Sequence, residues 1–334
     1  MMTTACYPRR DLAYEGLDLM ALSGDLRLKD TLPLYGVSVA ILIPRTGTGQ
    51  LDCQVYEAQL RFLCARGIES FAVNGATGEY TLTTPAEFSW LLRTSRAVAG
   101  PSARLIAGIG GPDAPKCREL ASIAQQESAD GVLLPMPYFF PYEQDDLVQF
   151  AEAVAYGLQL PIYLYNLPVF TSPLAPSTAL HLIRRVPNIV GIKDSSGSLE
   201  TVSLLRREIP EAGCILGWDG ILHSALAQGV CDGLVSGVAS VLPEFMLRAY
   251  QEAARNSESA ASKRLRDLLD EFLSWLHRFP APWGLKIIAE ARGLGAARFP
   301  MPLSPARQGA REEFLEWFDA NRAALQADSD PITR

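Results

Sequence analysis

The chain has 334 residues, of which 48% are hydrophobic and 20% are charged, and its formal net charge is −7. This composition supports a large buried core and excludes an intrinsically disordered chain. The negative charge argues against broad nucleic-acid binding, which needs a basic face, but it permits a local site for a small anion.

The spacing of cysteine and histidine and the length of the apolar runs argue against a metalloprotein, a thiol-redox protein and a membrane protein. The six cysteines form no CxxC pair, and the three histidines, His181, His223 and His277, fall in separate helical patterns. No apolar run reaches the roughly 18 residues of a transmembrane helix. Residues 1–33 form a polar extension without a secretory signal, so the sequence predicts a cytoplasmic protein with reduced thiols.

Eight short apolar runs begin at residue 37. They are VSVAILI (37–43), SFAVN (70–74), RLIAGIG (104–110), GVLLPM (131–136), PIYLYN (161–166), NIVGIKD (188–194), GCILGW (213–218) and DGLVSG (232–237). Runs of this length, rich in Val, Ile and Leu, are typical of parallel strands that are buried on both faces.

An amphipathic helical segment follows each run. These segments cover 52–67, 84–100, 113–127, 143–158, 175–186, 198–208, 220–229 and 242–255. The second has a capping pattern, with Thr84 as N-cap, Pro85 at the first helical position and Glu87 three residues after the cap. Eight strand–helix units favour a (β/α)8 barrel over the alternative, a doubly wound sheet.

The strand–helix alternation ends near residue 256. Three further helical segments follow, at about 258–277, 282–293 and 306–327. We therefore predict a polar extension over 1–33, a (β/α)8 TIM barrel over 34–256 and a C-terminal helical segment over 257–330.

Functional groups of such a barrel lie at the carboxyl ends of its strands, which directs attention to Lys193 and Tyr165. Burial favours the neutral, nucleophilic form of a lysine amine, which can attack a ketone and form an imine. The two residues are separated by one strand–helix unit (193 − 165 = 28), so we expect them to meet on adjacent strands. A phenol beside the amine can move protons. The alternatives are a Lys193 that reaches solvent or pairs with Asp194, and a Tyr165 that merely plugs the barrel.

The segment NGATGEYTLTT (74–84) is a glycine-containing connection after the second run. Exposed backbone N–H groups in a turn of this kind, here around Ala76 and Thr77, can hold a carboxylate. The alternative interpretation is an ordinary tight loop.

Three ordered motifs resemble those of the dihydrodipicolinate synthase/N-acetylneuraminate lyase family. They are GATGEYTLT (75–83), YNLP (165–168) and GIKDSSG (191–197), and the opening segment GVSVAILIPRTGTGQLD (36–52) is similar as well. The resemblance runs from about residue 36 to about residue 295. It implies a barrel with a C-terminal helical segment, a homotetramer or homodimer, and no metal or organic cofactor. It also implies Lys193 as the Schiff-base lysine, Tyr165 as the proton-shuttling phenol, and Ala76 and Thr77 as the carboxylate-binding turn.

Three departures from the family pattern bear on the reaction. Ala76 replaces the first hydroxyl residue of the turn, and Phe139 stands where the family places a tyrosine that enters a neighbouring subunit's site. Both belong to the family's proton relay. Phe170 replaces the arginine that binds the carboxylate of aspartate semialdehyde in the synthase, and a phenyl ring cannot form that clamp.

The segment GWDG (217–220) resembles the place where sialic acid lyases bind sugar hydroxyls. We therefore expect Gly217 and Asp219 to line the distal pocket, although Gly220 stands where those lyases have an acidic residue. The alternative for Asp219 is an N-cap of the next helix. Phe139, Phe170 and their aromatic neighbours either form an apolar pocket for an aromatic aldehyde or pack structurally.

The leading hypothesis is a class I aldolase or lyase that joins or cleaves pyruvate, or another 2-oxo acid, and an aldehyde. The adduct would be a 2-keto-3-deoxy sugar acid or a similar compound. One alternative is a dehydratase of a deoxy-keto sugar acid, and another is 4-hydroxy-tetrahydrodipicolinate synthase, which Ala76, Phe139 and Phe170 disfavour. A third is a catalytically inactive metabolite-binding barrel.

Overall fold

A computed structural model describes residues 34–327 of the chain, and its centre is a closed barrel of eight parallel strands in sequence order. The strands are β1 (Gly36–Ala40), β2 (Ser70–Val73), β3 (Arg104–Gly108), β4 (Gly131–Pro135), β5 (Ile162–Asn166), β6 (Ile189–Asp194), β7 (Gly213–Leu216) and β8 (Gly233–Ser236). The predicted (β/α)8 fold is confirmed. The predicted extension over 1–33 lies outside the described residues.

A helix follows every strand, and three more form the C-terminal extension. The barrel helices are α1 (Cys53–Cys64), α2 (Pro85–Ala99), α3 (Ala114–Gln126), α4 (Gln144–Ala155), α5 (Pro176–Arg185), α6 (Glu200–Glu208), α7 (Leu222–Gln228) and α8 (Pro243–Asn256). The C-terminal helices are α9 (Ala260–Leu276), α10 (Trp283–Ala291) and α11 (Pro305–Leu325). In the described part of the chain, none of these helices is long and apolar enough to cross a membrane.

The helices begin where their capping residues predict. The side chain of Asp52 accepts from the backbone N–H of Val55 at α1. At α2 the Thr84 side chain and the Glu87 side chain each accept a backbone N–H of the other residue, so the predicted capping box is present. Such a pair satisfies two N–H groups that the first helical turn leaves without partners.

Two hydrophobic clusters hold the barrel together. A large one lies between the strands and the surrounding helices. A smaller one fills the inside of the barrel and includes Ile106, Leu133, Tyr163 and Tyr165. Glycine makes room for the large rings, because a Cβ at Gly213 would lie 2.6 Å from Cε1 of Tyr163. The interior of the barrel is therefore packed with side chains.

The C-terminal helix α10 reaches the mouth of the barrel. Lys286 of α10 forms a mostly buried ion pair with Glu79, which follows β2, and also donates to the Arg298 carbonyl oxygen at 3.0 Å. Leu285 lies against Gly237, after β8. These contacts tie the C-terminal extension to the loops that carry the candidate site.

Candidate active site

Lys193 and Tyr165 meet at the barrel mouth, as predicted. They are Cα partners in the pairing of β5 with β6, and each is 3% exposed. The Lys193 Nζ lies 3.9 Å from the centroid of the Tyr165 ring. An ammonium group over an aromatic face is attracted by the ring quadrupole. The amine is therefore held beside the phenol inside an apolar shell.

The alternative interpretations of Lys193 are wrong. Its side chain is buried, and within residues 34–327 it forms no ion pair. Asp194 is instead occupied by neutral donors, since its Oδ1 accepts from Asn166 Nδ2 at 3.2 Å and from the Ser196 backbone N–H at 2.8 Å. Successive side chains of a strand point to opposite faces, which separates Asp194 from the amine.

Gly217 provides the space above the lysine. A Cβ at this position would lie 2.8 Å from Lys193 Cε and 1.9 Å from Ser195 Oγ. Such distances are inside van der Waals contact, so a larger residue here would displace the side chains of Lys193 and Ser195. The sequence predicts that Gly217 lines the distal pocket, and the structure places it beside Lys193 and Ser195.

Ser195 is a site residue that sequence analysis missed. Its hydroxyl is enclosed, lies next to Lys193, and has no hydrogen-bond partner in the described part of the chain. A buried hydroxyl without a partner is costly, which marks Ser195 as a candidate ligand contact. The period of two along a strand could have found it, because residues 193 and 195 share a face.

Asp219 lies on the same side of the mouth as the lysine. It is buried, and its carboxylate accepts a hydrogen bond from the hydroxyl of Ser236, at the end of β8. Burial raises the pKa of Asp219 to about 6, although the Ser236 bond and the charge of Lys193 act in the opposite direction. The alternative interpretation as a helix cap is wrong, because the N-cap of α7 is Ile221 and Asp219 begins a separate 3-10 turn.

The turn after β2 offers two backbone donors. The N–H groups of Ala76 and Thr77 have no hydrogen-bond partner within residues 34–327, whereas those of Gly78, Glu79 and Tyr80 are bonded inside the turn. Thr77 lies beside the end of β8, since its Oγ1 would be 3.2 Å from a Cβ placed on Gly237. Two free amides and a hydroxyl at one turn match the predicted carboxylate site.

The structure does not bring the two predicted pocket phenylalanines to the lysine. Phe139 is 86% exposed at a φ of 83°, and its ring packs edge-on against Phe140. Phe170 is 51% exposed. Trp218 stacks on His277 with ring centroids 5.2 Å apart, which is a packing contact with the C-terminal extension.

No metal centre accompanies these residues in the described part of the chain, where no three His, Cys, Asp or Glu side chains gather in a way that suits an ion. The groups available for chemistry are thus an amine, a phenol, two backbone amides, hydroxyls and one buried carboxyl group.

Comparisons with known proteins agree on one family. The profile of the dihydrodipicolinate synthetase family matches residues 33–320. The 4-hydroxy-tetrahydrodipicolinate synthase of Bacillus subtilis is 30% identical over 277 residues, covering 82% of this chain and 95% of that one. The crystal structure of dihydrodipicolinate synthase from Thermotoga maritima is similar with a TM-score of 0.81 at 25% identity, covering 87% of this chain and 99% of that one. A pyruvate complex of the chloride-inhibited synthase from Acinetobacter baumannii has a TM-score of 0.80 at 27% identity, with 87% and 99% covered.

Proposed function

The chain belongs to the dihydrodipicolinate synthetase family and is a carbon–carbon lyase, and from this premise we propose that it is a class I aldolase. Its Lys193 would form a Schiff base with pyruvate or a related 2-oxo acid, and the second substrate or product would be an aldehyde. The observation that carries the proposal is the buried Lys193 amine, 3.9 Å from the centre of the Tyr165 ring.

The first chemical steps follow from the groups around the amine. The carboxylate of the 2-oxo acid binds the free N–H groups of Ala76 and Thr77, which directs its C2 carbonyl towards Lys193. The amine attacks C2, and Tyr165 gives a proton to the departing hydroxyl, which leaves as water. The Tyr165 phenolate then takes the proton of the C4 hydroxyl, the C3–C4 bond breaks with its electron pair passing to the iminium ion, and the aldehyde departs. The enamine that remains is protonated at C3, and water then releases the 2-oxo acid.

The distal groups indicate what the aldehyde carries. Ser195 offers a hydroxyl without a partner, and Asp219 offers a carboxyl group that the enclosed Ser236 hydroxyl holds in place. These groups suit the hydroxyls of a 2-keto-3-deoxy sugar acid. Phe170 offers no charge for a second carboxylate. These groups support our proposal of a polyhydroxylated adduct ahead of aspartate semialdehyde.

A second candidate is 4-hydroxy-tetrahydrodipicolinate synthase, because the Bacillus subtilis relative carries that name at 30% identity. Both candidates use the imine on Lys193 and differ only in the aldehyde. Assays with aspartate semialdehyde and with a panel of hydroxyaldehydes would separate them. Release of CO2 without pyruvate from a deoxy-keto sugar acid would instead indicate a dehydratase.

Borohydride trapping tests the imine directly. We expect pyruvate and borohydride to add one pyruvyl group to the wild-type protein and none to Lys193→Ala, as measured by intact mass. Lys116→Ala is the matched control, because Lys116 lies on the surface in an ion pair with Glu119. An adduct that persists in Lys193→Ala, or a wild-type protein without any adduct, would refute the proposal. Pyruvate binding without an adduct or turnover would point to an inactive binding barrel.

We also propose that a second copy of this chain covers the exposed pair of Phe139 and Phe140, in a homotetramer or a homodimer. The two rings contact each other at 4.9 Å between centroids and are 86% and 61% exposed. Exposed apolar surface of this kind favours association. Light scattering of the wild-type protein and of Phe139→Ser/Phe140→Ser should give different masses, and a monomeric wild-type protein would contradict this proposal.

A further inference from the structure

The family's proton relay would supply protons to Tyr165, and this chain lacks the relay hydroxyl at two positions. Ala76 has no hydroxyl, and Phe139 is an exposed phenyl ring. Tyr165 itself is only 3% exposed and has no hydrogen-bond partner for its hydroxyl in the described part of the chain. A phenol that is so nearly enclosed exchanges protons with solvent through little exposed surface, so a second proton-carrying group beside it would speed the exchange.

Tyr80 lies where such a group is needed. It begins the short 3-10 helix Tyr80–Leu82 that follows the carboxylate-binding turn. Its ring lies over Gly110, where a Cβ would be 2.5 Å from Tyr80 Cε2 and 2.8 Å from Pro135 Cγ. Pro135 is in turn the Cα partner of Tyr165. The ring of Tyr80 therefore lies one strand away from the phenol that contacts Lys193.

The electrostatics connect the same groups. Burial is the main cause that raises the pKa of Tyr80, and the nearby phenols of Tyr138 and Tyr165 raise it further. The rings of Tyr80 and Tyr138 meet edge-on at 6.1 Å between centroids.

Solvent reaches this group. Within residues 34–327 the Tyr80 hydroxyl has no hydrogen-bond partner, yet it is not one of the fully enclosed polar atoms. The same holds for the Tyr165 hydroxyl. Because no direct hydrogen bond joins the two phenols in the described part of the chain, a proton would have to pass between them over water.

We propose that Tyr80 replaces the missing relay hydroxyls and carries protons between solvent and Tyr165 within a single subunit. The inference rests on the proposed imine chemistry of Lys193. Tyr80 is a positioning residue, since it acts through Tyr165 and does not touch the substrate.

The proton balance is as follows in the dehydration of the carbinolamine. Tyr165 gives its proton to the departing hydroxide, which leaves as water, while the nitrogen lone pair forms the C=N bond. The Tyr165 phenolate then takes a proton from the bridging water, and this water takes the Tyr80 proton. Tyr80 regains a proton from bulk solvent, and imine hydrolysis runs the same transfers in reverse.

Tyr80→Phe is the direct test, because it removes the hydroxyl and keeps the ring that packs over Gly110. The rate is read from the exchange of pyruvate methyl protons in D2O by NMR, which needs the imine but no aldehyde. A positioned acid–base group contributes about 100-fold or more, and solvent replaces it in part, so we expect the exchange to slow at least about tenfold. The final amount of borohydride-trapped adduct and the melting temperature should stay unchanged.

Two further variants separate a relay from a packing role. Tyr250→Phe is the control, because its hydroxyl lies at the Asp232 carbonyl oxygen on the opposite side of the barrel, and it should exchange at the wild-type rate. Adding Ala76→Thr to Tyr80→Phe restores a hydroxyl to the same turn and should recover much of the lost rate.

The outcomes distinguish this inference from the proposed function. If Tyr80→Phe exchanges the pyruvate methyl protons at the wild-type rate, the relay is refuted while the proposed imine on Lys193 stands. The same holds if Tyr80→Phe is slow and the added Ala76→Thr does not restore its rate. A wild-type protein that forms no adduct with pyruvate overturns the proposed function and the relay with it.

Discussion

The buried carboxyl group of Asp219 couples the site to the stability of the whole protein. Its pKa is raised from 3.8 to about 6, mainly because burial penalises the charged form. The hydrogen bond from Ser236 and the charge of Lys193 favour the carboxylate but do not offset that penalty. Asn is nearly the same shape and does not titrate, so Asp219→Asn removes this coupling.

The direction of the effect follows from proton linkage. Between pH 3.8 and about 6 the folded protein binds the Asp219 proton more tightly than the unfolded chain does. This contribution to stability is fully present below the unfolded pKa and is lost as the pH rises through the folded pKa. At 1.36 kcal/mol per pKa unit it amounts to about 3 kcal/mol in total, of which about 2 kcal/mol is lost between about pH 4.5 and about pH 7.5.

Urea denaturation of both proteins across this pH range measures the effect. We expect the free energy of unfolding of Asp219→Asn, relative to the wild type, to increase by about 2 kcal/mol from the acidic to the neutral end. Other groups that titrate there, such as His223 with its pKa lowered by burial, occur in both proteins and cancel. A difference that stays constant with pH would refute the buried, proton-binding state of Asp219.

Three further substitutions test the surroundings of the site. Gly217→Ala would bring a methyl group within 2.8 Å of Lys193 Cε, so we expect pyruvate trapping to fall about 100-fold with unchanged circular dichroism; wild-type trapping would contradict this. Lys286→Met leaves the mostly buried Glu79 without its cation and should cost about 3 kcal/mol in urea denaturation, whereas unchanged stability would show that the pair contributes nothing. Tyr165→Phe keeps the ring under the amine but should slow pyruvate deuterium exchange by about 100-fold or more; an unaffected rate would exclude the phenol as the proton carrier.

The barrel was predictable because its signal is repeated eight times. A single apolar run such as GCILGW does not distinguish a strand from part of a helix, but regular alternation with amphipathic segments does. The pair of Lys193 and Tyr165 followed from the same repeat, since one strand–helix unit separates equivalent positions. A residue whose position follows from the repeated strand–helix unit can therefore be placed from the sequence alone.

The sequence predicted the ends of individual strands and helices less well than it predicted the barrel. The predicted first strand extends to Ile43, yet β1 ends at Ala40, although the three residues between remain buried. Apolar composition reports burial and not hydrogen bonding, so it overstates the strand. Likewise, the segment predicted as one helix from residue 220 consists of a 3-10 turn from Asp219 to Ile221 followed by α7.

The residues that sequence analysis missed have a common physical cause. Ser195, Ser236 and Tyr80 lie against residues from other strands, and the motifs that contain two of them do not show those contacts. Serine is also common at strand ends and in turns, so its presence there is weak evidence for function. The structure shows the contacts instead, through the close approach of Gly217 to Ser195 and of Gly110 to Tyr80.

The proposed imine-forming residues and the proposed aldehyde-binding residues lie on different strands, so experiments can test them separately. The Tyr165 phenol lies on β5 and the Lys193 amine on β6, and the amides proposed to bind the carboxylate follow β2. The distal carboxyl group and hydroxyl follow β7 and β8 instead. Because different loops of a (β/α)8 barrel vary independently, a change of aldehyde needs no change at Lys193. Activity on pyruvate alone therefore tests the first group of residues, and the choice of aldehyde tests the second.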